Sequence, residues 1–506
     1  MNIANALRRT AQRHPDRLAL RQGDASLSYQ ELLEQADRFA GYLVAQGVAP
    51  GERVGILMHN QKEWVVAMLG IWQAGACLVP YNYLFHPAAL RHATDDAGVT
   101  LVVAPAEDVP RLEEALVGHP AADRIVSVGP ADGVADTWDA VMATAPLGHV
   151  VPRFDHDDAV LMYTSGSTGS PKGVRQTHRN ISAVCEATND WWSIDETDHA
   201  LVCTPLFHVG GLHLITLPLL LAGGTVTLRR WKVREWLHDA ESLSPTVVAL
   251  VPAMMIDIIN ELQDSTRTLS SIRVCAIGGS ALPQKRLQQL TDLTGIVAVN
   301  IYGQTEQMGL AISEPLEEDR REGSLGKPLS QITEVRILNT DDDGMAQEVA
   351  PGQTGELWVR GDAVTPGYWQ LDAVNEQRFV DGWMRTSDLV RADEDGYLYY
   401  VDRADDMIIS GGENVYPQMV EGHLAACPLI AEVAVIGTKH ERLSQQVTAI
   451  VVPRQAGVTA ESIAAYCDTD PNLRGLQRPR RIEIVDQIPR TATNKIDRPQ
   501  LKRLYV

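Results

Sequence analysis

Apolar residues recur along this chain in two alternating rhythms. Short apolar runs, "RVGILMH", "ACLVPYN", "VTLVVA" and "RIVSVG", alternate with longer stretches in which apolar positions return every three or four residues: "SYQELLEQADRFAGYLVAQG", "QKEWVVAMLGIWQAG", "PAALRHATDDAG" and "VPRLEEAL". The runs have the length of buried strands, and the stretches have the period of helices with one buried face. Ser28, at the head of the first helical stretch, is placed to cap it. Strand alternating with helix predicts parallel sheets covered by helices. The same rhythm returns at "HALVCTPL", "PTVVALVP", "IRVCAIGG" and "IVAVNIYG".

From Glu334 to Arg403 the pattern changes to short alternating segments such as "TGELWVRG" and "GYLYYVDR", set between Gly and Pro turns, which predict a β-rich unit. After "DRADD", Asp402 to Asp406, a fresh α/β pattern begins, with "PQMVEGHLAAC" as helix and "IAEVAVIG" and "QQVTAIVVP" as strands. A boundary at Asp405 divides the chain into 1–404 and 405–506, the second piece being about 100 residues, a normal size for an independent unit. The fold class is α/β. It comprises a large N-terminal domain of two helix-covered, parallel-type sheets plus a β-rich subdomain, followed by a small α+β C-terminal domain.

The 506 residues are 45% hydrophobic and 22% charged, an ordinary globular composition. The net charge changes the picture: 44 Lys and Arg against 65 Asp and Glu leave −21, which argues against nonspecific binding to nucleic acid or anionic lipid. Cys77, Cys185, Cys203, Cys275, Cys427 and Cys467 are scattered without a CxxC pair. That spacing suits buried thiols in a reducing cytoplasm better than a disulfide framework or a zinc site. The N-terminus, "MNIANALRRTAQRHPDR", is too charged for a secretory signal. The most apolar long stretch, Val209 to Val226, is interrupted by His213, Pro218 and four glycines, and reads as a buried helix flanked by turns rather than a membrane span.

Candidate chemistry is concentrated in a few stretches. "YTSGSTGSPKGV", Tyr163 to Val174, follows the apolar strand "AVLMYT". Its glycines and hydroxyls can turn backbone N–H groups and side-chain O–H groups toward phosphate oxygens, and Lys172 adds charge. Pro171 and Gly173 flank that lysine, so it does not lead a helix as in the GxxxxGK[ST] loop. "NIYGQTE", Asn300 to Glu306, ends a strand with an aromatic, a hydroxyl and a carboxylate, suited in turn to a base, a phosphate and Mg²⁺. "RTSD", Arg385 to Asp388, is expected to place a carboxylate in a turn where it meets two ribose hydroxyls. "DRADDMIISGGENVYP" joins charges to a diglycine, and "PRTATNKIDR" presents Lys495 in a polar loop.

In wording, order and spacing, these stretches resemble the adenylate-forming superfamily of acyl-CoA synthetases, luciferases and peptide-synthetase adenylation domains. The likeness runs over essentially the whole chain and is greatest to aryl- and fatty-acyl-CoA ligases such as chlorobenzoyl-CoA ligase. It implies that a small carboxylic acid attacks the α-phosphate of ATP, giving an acyl-adenylate and pyrophosphate, and that coenzyme A then takes the acyl group. ATP, Mg²⁺ and coenzyme A are the implied cofactors, and a homodimer is among the assemblies the likeness allows. By the match, Thr164, Ser165, Gly166, Ser167, Thr168, Gly169 and Lys172 hold the β- and γ-phosphates; Thr305 bonds the α-phosphate and Glu306 helps bind Mg²⁺. Tyr302 stacks on adenine with Gly279, Ser280 and Ala281 along the base, while Asp388 and Arg403 hold the ribose.

Lys495 would bridge the acid's carboxylate and the α-phosphate. Asp405 matches a hinge about which a mobile C-terminal domain swings after adenylation, withdrawing Lys495 and bringing in Gly411 and Gly412, whose missing side chains leave room for a pantetheine arm. His208, in "TPLFHVGG", matches an aromatic or His position beside the acyl pocket that is linked to gating of the thiol's entry; a satisfied core histidine is the other reading. Val209, Gly210, Gly278, Gly303, Met308 and Gly309 would line that pocket, the glycines leaving space for an aromatic or medium-chain acid.

The C-terminal domain departs from the family pattern. Family CoA ligases often carry an aromatic-basic pair before "RP" and a "WG" pair after the domain's first strand, where this chain has Leu476 and Gln477, and Leu443 and Ser444. Arg478, Arg480 and Arg481 remain as positive charges for the 3′-phosphate of coenzyme A. Two functions therefore stay open: a carboxylate–CoA ligase, or an adenylating enzyme that hands its acyl group to a carrier-protein phosphopantetheine, an amine or an oxygen nucleophile.

Overall fold

The computed structural model describes residues 2–134, 136–164, 171–263, 267–279, 284–316, 321–340, 346–411, 413–490 and 496–505. The chain forms two compact units, Met1–Glu334 with Arg360–Gly382, and Val335–Val359 with Trp383–Val506.

The first unit holds two largely parallel sheets. In one, Ile125–Val128, Val99–Pro105, Arg53–Ile56, Cys77–Pro80 and Asp158–Thr164 run parallel in that spatial order, and Lys172–Thr177 closes the edge antiparallel. In the other, Ala298–Tyr302, Val274–Ile277, Val247–Leu250, His199–Val202, Thr225–Leu228 and Leu18–Gln22 run parallel. These are the apolar runs of the sequence; the helices between them follow the three-to-four-residue period. Helix Tyr29–Ala45 begins at Ser28, whose Oγ accepts from Glu31 N at 3.1 Å while Ser28 N donates to the Glu31 carboxylate at 2.7 Å. This reciprocal pair satisfies two amides that the helix cannot bond internally. Helix Lys62–Gln73 is buried from Trp64 to Gln73, which explains its nearly continuous apolar sequence. One core includes residues of both sheets, among them Val54, Ile56, Val247 and Val274.

The apolar stretch after His208 folds as a turn of helix, Val209–Gly211, a π-helix, Leu212–Thr216, and an α-helix, Leu217–Ala222, before strand Thr225–Leu228. Among the described residues no helix is long and apolar enough to cross a membrane. All six cysteines are buried free thiols, as their spacing predicted.

The N-terminal helix, Ile3–Arg13, is tied to the core by Ile3 N, which donates to His178 Nδ1 at 3.3 Å. Burial pushes the His178 pKa down from 6.5 to about 4, so the folded protein keeps this ring neutral. Between those values the unfolded chain binds the extra proton, and stability falls as pH falls. The loss approaches roughly 3 kcal/mol by pH 4. The thermal midpoint is expected to drop over this window more steeply in the wild type than in His178→Asn, whose amide oxygen preserves an acceptor. Equal slopes would remove His178 as the cause.

The second unit contains an antiparallel sheet with Ala346–Glu348, Glu334–Thr340, Thr354–Arg360, Trp383–Ala392 and Leu398–Arg403 in that order. A further sheet is built on the long hairpin Ile430–His440 with Ser444–Pro453, flanked by Ile408–Ser410 and by Arg481–Ile484. Helices Pro417–Ala425, Ala460–Thr469 and Arg498–Tyr505 complete this α+β part.

Candidate active site

Thr164 and Lys172 are direct partners across the antiparallel pair, so the phosphate-loop candidate is closed at its base by a hairpin. Ser165, Gly166, Ser167, Thr168 and Gly169 lie outside the described residues, as do Ser280, Ala281, Gly412 and Lys495. Lys172 opens strand Lys172–Thr177 rather than a helix, as its flanking Pro and Gly predicted. Its Nζ stands 5.7 Å from the centre of the Tyr368 ring, within cation–π range.

Tyr368 connects this lysine to the second candidate stretch. Its hydroxyl donates to Glu306 Oε1 at 2.6 Å. Thr305 and Glu306 lie on the short 3₁₀ turn Thr305–Gln307, just beyond the carboxyl end of strand Ala298–Tyr302, and are 8% and 9% exposed. Burial raises the Tyr368 pKa, and the Glu306 charge raises it further, so the phenol stays a proton donor. The other Glu306 carboxylate oxygen has no hydrogen bond among the described residues.

The segment 365–369, "TPGYW", makes the connection possible. Thr365 N donates to Glu306 O at 2.8 Å, Trp369 N to Gly173 O at 2.8 Å, and Arg175 N to Gly367 O at 3.1 Å. Gln176 Nε2 donates to Thr305 O at 3.2 Å, joining the lysine's strand to the turn directly. Lys172, Glu306 and Tyr368 thus come from segments far apart in the chain and meet in one bonded network. Sequence reasoning missed Tyr368 and also Arg378, whose Nη2 donates to Gln304 Oε1 at 3.1 Å. The available cue was two large aromatics, Tyr368 and Trp369, directly after a Pro-Gly pair.

A single carboxylate with one unbonded oxygen fits Mg²⁺, which keeps most of its shell for water and phosphate oxygens and needs few protein ligands. Among the described residues no group of three or more His, Cys, Asp or Glu could hold a metal unaided. The Glu306 carboxylate thus fits the ligand requirement of a Mg²⁺ held together with ATP phosphates.

The pocket glycines behave differently from expectation. A Cβ on Gly303 would lie 2.4 Å from Gly309 C and 2.6 Å from Leu310 N, and one on Gly278 would lie 2.6 Å from Ile301 Cγ1. One on Gly309 would lie 2.9 Å from Val209 Cγ2. Here the missing side chains make room for protein, not for ligand. Met308 (φ 54°) and Gly309 (φ 88°), both left-handed, turn the chain back onto Gly303. Gly279, with nothing within 4 Å of its Cβ position, does face open space. His208 caps the turn after it by accepting from Gly210 N on Nδ1 at 3.3 Å. Because its obstacle is backbone, Gly303→Ala is expected to displace the Thr305–Glu306 turn and slow adenylation up to roughly 100-fold. Acid-dependent pyrophosphate exchange measures this, and an unchanged rate would show that the turn yields.

In the second unit Asp388 and Arg403 face each other across paired strands, with Arg403 Nη1 3.1 Å from Asp388 Oδ1. Asp388 does not lie in the expected turn. It lies within strand Trp383–Ala392, beside left-handed Ser387 (φ 56°), whose N–H is held by Glu356 Oε1 at 3.1 Å. This local irregularity supplies the bend that the turn was meant to provide. Asp405 is exposed; its carbonyl accepts from Lys502 Nζ at 3.0 Å.

The loop that carries Lys495 is closed by the bridge Arg490↔Ile496 and by Asp497 N donating to Pro489 O at 2.9 Å. Just past it, the Arg498 guanidinium meets both Glu421 oxygens at 2.8 and 2.9 Å. The family departures also converge: Leu443 Cδ2 and Leu476 Cδ1 lie 3.3 and 3.5 Å from where a Gly411 Cβ would be. Arg478 is engaged by Asp468 at 2.9 Å, and Arg480 N donates to Val447 O at 2.9 Å.

A hairpin-borne lysine and a turn-borne carboxylate at the carboxyl edges of helix-covered parallel sheets, together with a separate α+β part, define an adenylate-forming enzyme. The AMP-binding enzyme family matches residues 7–369 and the AMP-binding enzyme C-terminal domain matches 419–495, so the chain belongs to that family. It is 34% identical over 500 residues to the feruloyl-CoA synthase of Amycolatopsis sp, covering 98% of each chain. It is also 34% identical over 511 residues to the 2-succinylbenzoate–CoA ligase of Geobacillus kaustophilus, covering 99% of this chain and 98% of that one. The solved structure of o-succinylbenzoate CoA synthetase from Bacillus subtilis, in complex with its acyl-adenylate intermediate, matches with a TM-score of 0.87 at 30% identity over 98% of each chain.

Proposed function

We propose that the protein is an ATP-dependent carboxylic acid–CoA ligase, acting on an aromatic or medium-chain acid and releasing AMP and pyrophosphate. The observation that carries this reading is the joining of Lys172 to Glu306 through Tyr368. Two anions, a carboxylate and a polyphosphate, must meet, and positioned positive charge lowers that barrier. Lys172 and the hydroxyls from Thr164 to Thr168 hold the β- and γ-phosphates, Thr305 bonds the α-phosphate, and Asp388 with Arg403 takes the ribose. Mg²⁺, when bound at Glu306, offsets phosphate charge. Lys495 supplies its charge where the carboxylate and the α-phosphate react. A mobile unit from Asp405 onward, with Gly411 and Gly412 admitting a pantetheine arm, belongs to the same proposal, as does a cytoplasmic setting.

Leu443 and Leu476 over Gly411 favour a second reading, in which the acceptor is a carrier-borne pantetheine that has no adenine to stack. The test combines the protein with ATP, Mg²⁺ and a panel of aryl and aliphatic acids, with and without coenzyme A. The ligase reading expects acid-dependent pyrophosphate release and a CoA thioester. Adenylate that accumulates unchanged beside coenzyme A supports the second reading; no acid-dependent pyrophosphate release from any acid rejects both.

A further inference from the structure

His213 is fully buried, and neither ring nitrogen has a hydrogen-bond partner. Buried polar groups are almost always paired, and leaving one unpaired costs stability without return. The residue sits on the π-helix Leu212–Thr216, between Leu212 and Leu214, both buried. π-Helical turns inside longer helices mark functional positions more often than regular ones do.

Its place in the fold suggests what the ring is for. The π-helix opens the connection that leaves the carboxyl end of strand His199–Val202: the Cβ position of Gly211, just before it, lies 2.5 Å from Thr204 O and 2.4 Å from Pro205 O. The Gly278–Gly279 and Gly303–Glu306 stretches likewise follow directly on the carboxyl ends of their strands. Open parallel sheets bind ligands at that edge. The neighbouring side chains Val209 and Leu214 pack on Gly309, 2.9 and 3.6 Å from its Cβ position, so the His213 segment abuts the turn that carries Glu306. On that turn Gln307 Nε2 is likewise buried without a partner. Burial and the nearby His208 push the His213 pKa down to about 3, leaving a neutral ring with one donor and one acceptor. A second carboxylate on the acid would call for an imidazolium there; a hydroxyl, which both gives and accepts, matches the neutral ring.

We propose that His213 is a specificity-determining residue whose imidazole hydrogen-bonds a hydroxyl substituent of the acid, so that a hydroxylated acid is preferred over its unsubstituted analogue. This rests on the ligase reading. A site built around a hydroxyl rejects the analogue that lacks it, because the site's own polar group is then left unpaired. The test compares kcat/KM for matched acids with and without a hydroxyl, at each ring or chain position, in the wild type, His213→Phe and His213→Asn. The wild type is expected to favour one hydroxylated isomer by roughly 10- to 100-fold, His213→Phe to erase that ratio chiefly through KM, and His213→Asn to keep part of it. The ratio is the readout; thermal unfolding checks that each variant folds, and His213→Leu replaces His213→Phe if the larger ring does not fit. A ratio that survives removal of the imidazole, or a wild type indifferent to every hydroxyl, overturns the proposal and points to a buried water as the ring's partner. Acids ligated with an unchanged ratio defeat only the role of His213, whereas no acid-dependent AMP release at all defeats the ligase reading beneath it.

Discussion

Lys495→Ala is expected to lower acid-dependent pyrophosphate exchange by about 10³-fold, while a supplied acyl-adenylate still passes to the thiol. The acid and ATP approach as anions, and charge builds on the α-phosphate oxygens as the new bond forms. A single well-placed cation at that point acts mainly on the transition state. The second half-reaction starts from a mixed anhydride with AMP as its leaving group, so it does not need that cation. The base of the Lys495 loop is fixed by the Arg490↔Ile496 bridge and by Arg498 between the Glu421 oxygens, so deletion of the side chain leaves its support in place. Normal pyrophosphate exchange in the variant would sink the assignment. Loss of both half-reactions would point instead to a damaged C-terminal part.

Glu306→Gln is expected to slow adenylation by roughly 10²- to 10³-fold and to raise the Mg²⁺ concentration needed for half-maximal rate. The amide keeps an oxygen for the Tyr368 hydroxyl and the same shape in a site that is 9% exposed, so what changes is charge. A neutral amide is a poor ligand for a hard divalent cation compared with a carboxylate. Tyr368→Phe serves as the companion. It removes one hydrogen bond, on the order of 1 kcal/mol, and should cost only several-fold, because the carboxylate remains. If Glu306→Gln and Tyr368→Phe lose rate equally and without a shift in Mg²⁺ dependence, Glu306 acts through packing rather than through a metal.

Much of this site was legible in the chain because its parts are local. Thr164 and Lys172 flank a Gly- and hydroxyl-rich stretch next to an apolar strand, and the hairpin that pairs them needs only that strand and its neighbour. Ser28 and Glu31 make a capping box within a single helical turn. Thr305 and Glu306 follow directly from the strand that ends at Tyr302. The strand geometry of Asp388 is not legible in "RTSD", since the bulge at Ser387 is set by the Glu356 carboxylate of another strand.

By itself the sequence determined the strand–helix rhythm and set Thr164, Lys172, Thr305 and Glu306 in compact stretches beside apolar strands, because each rests on short-range periodicity or on a compact motif. Only the tertiary structure decided which distant pieces share a site. It placed Leu18–Gln22 beside Thr225–Leu228, set Tyr368 between Lys172 and Glu306, and filled the space at Gly303 with the backbone of Gly309. It also left His213 buried without a partner. These outcomes depend on which surfaces pack together after collapse, and packing is a property of side-chain volumes from remote segments that no local pattern encodes.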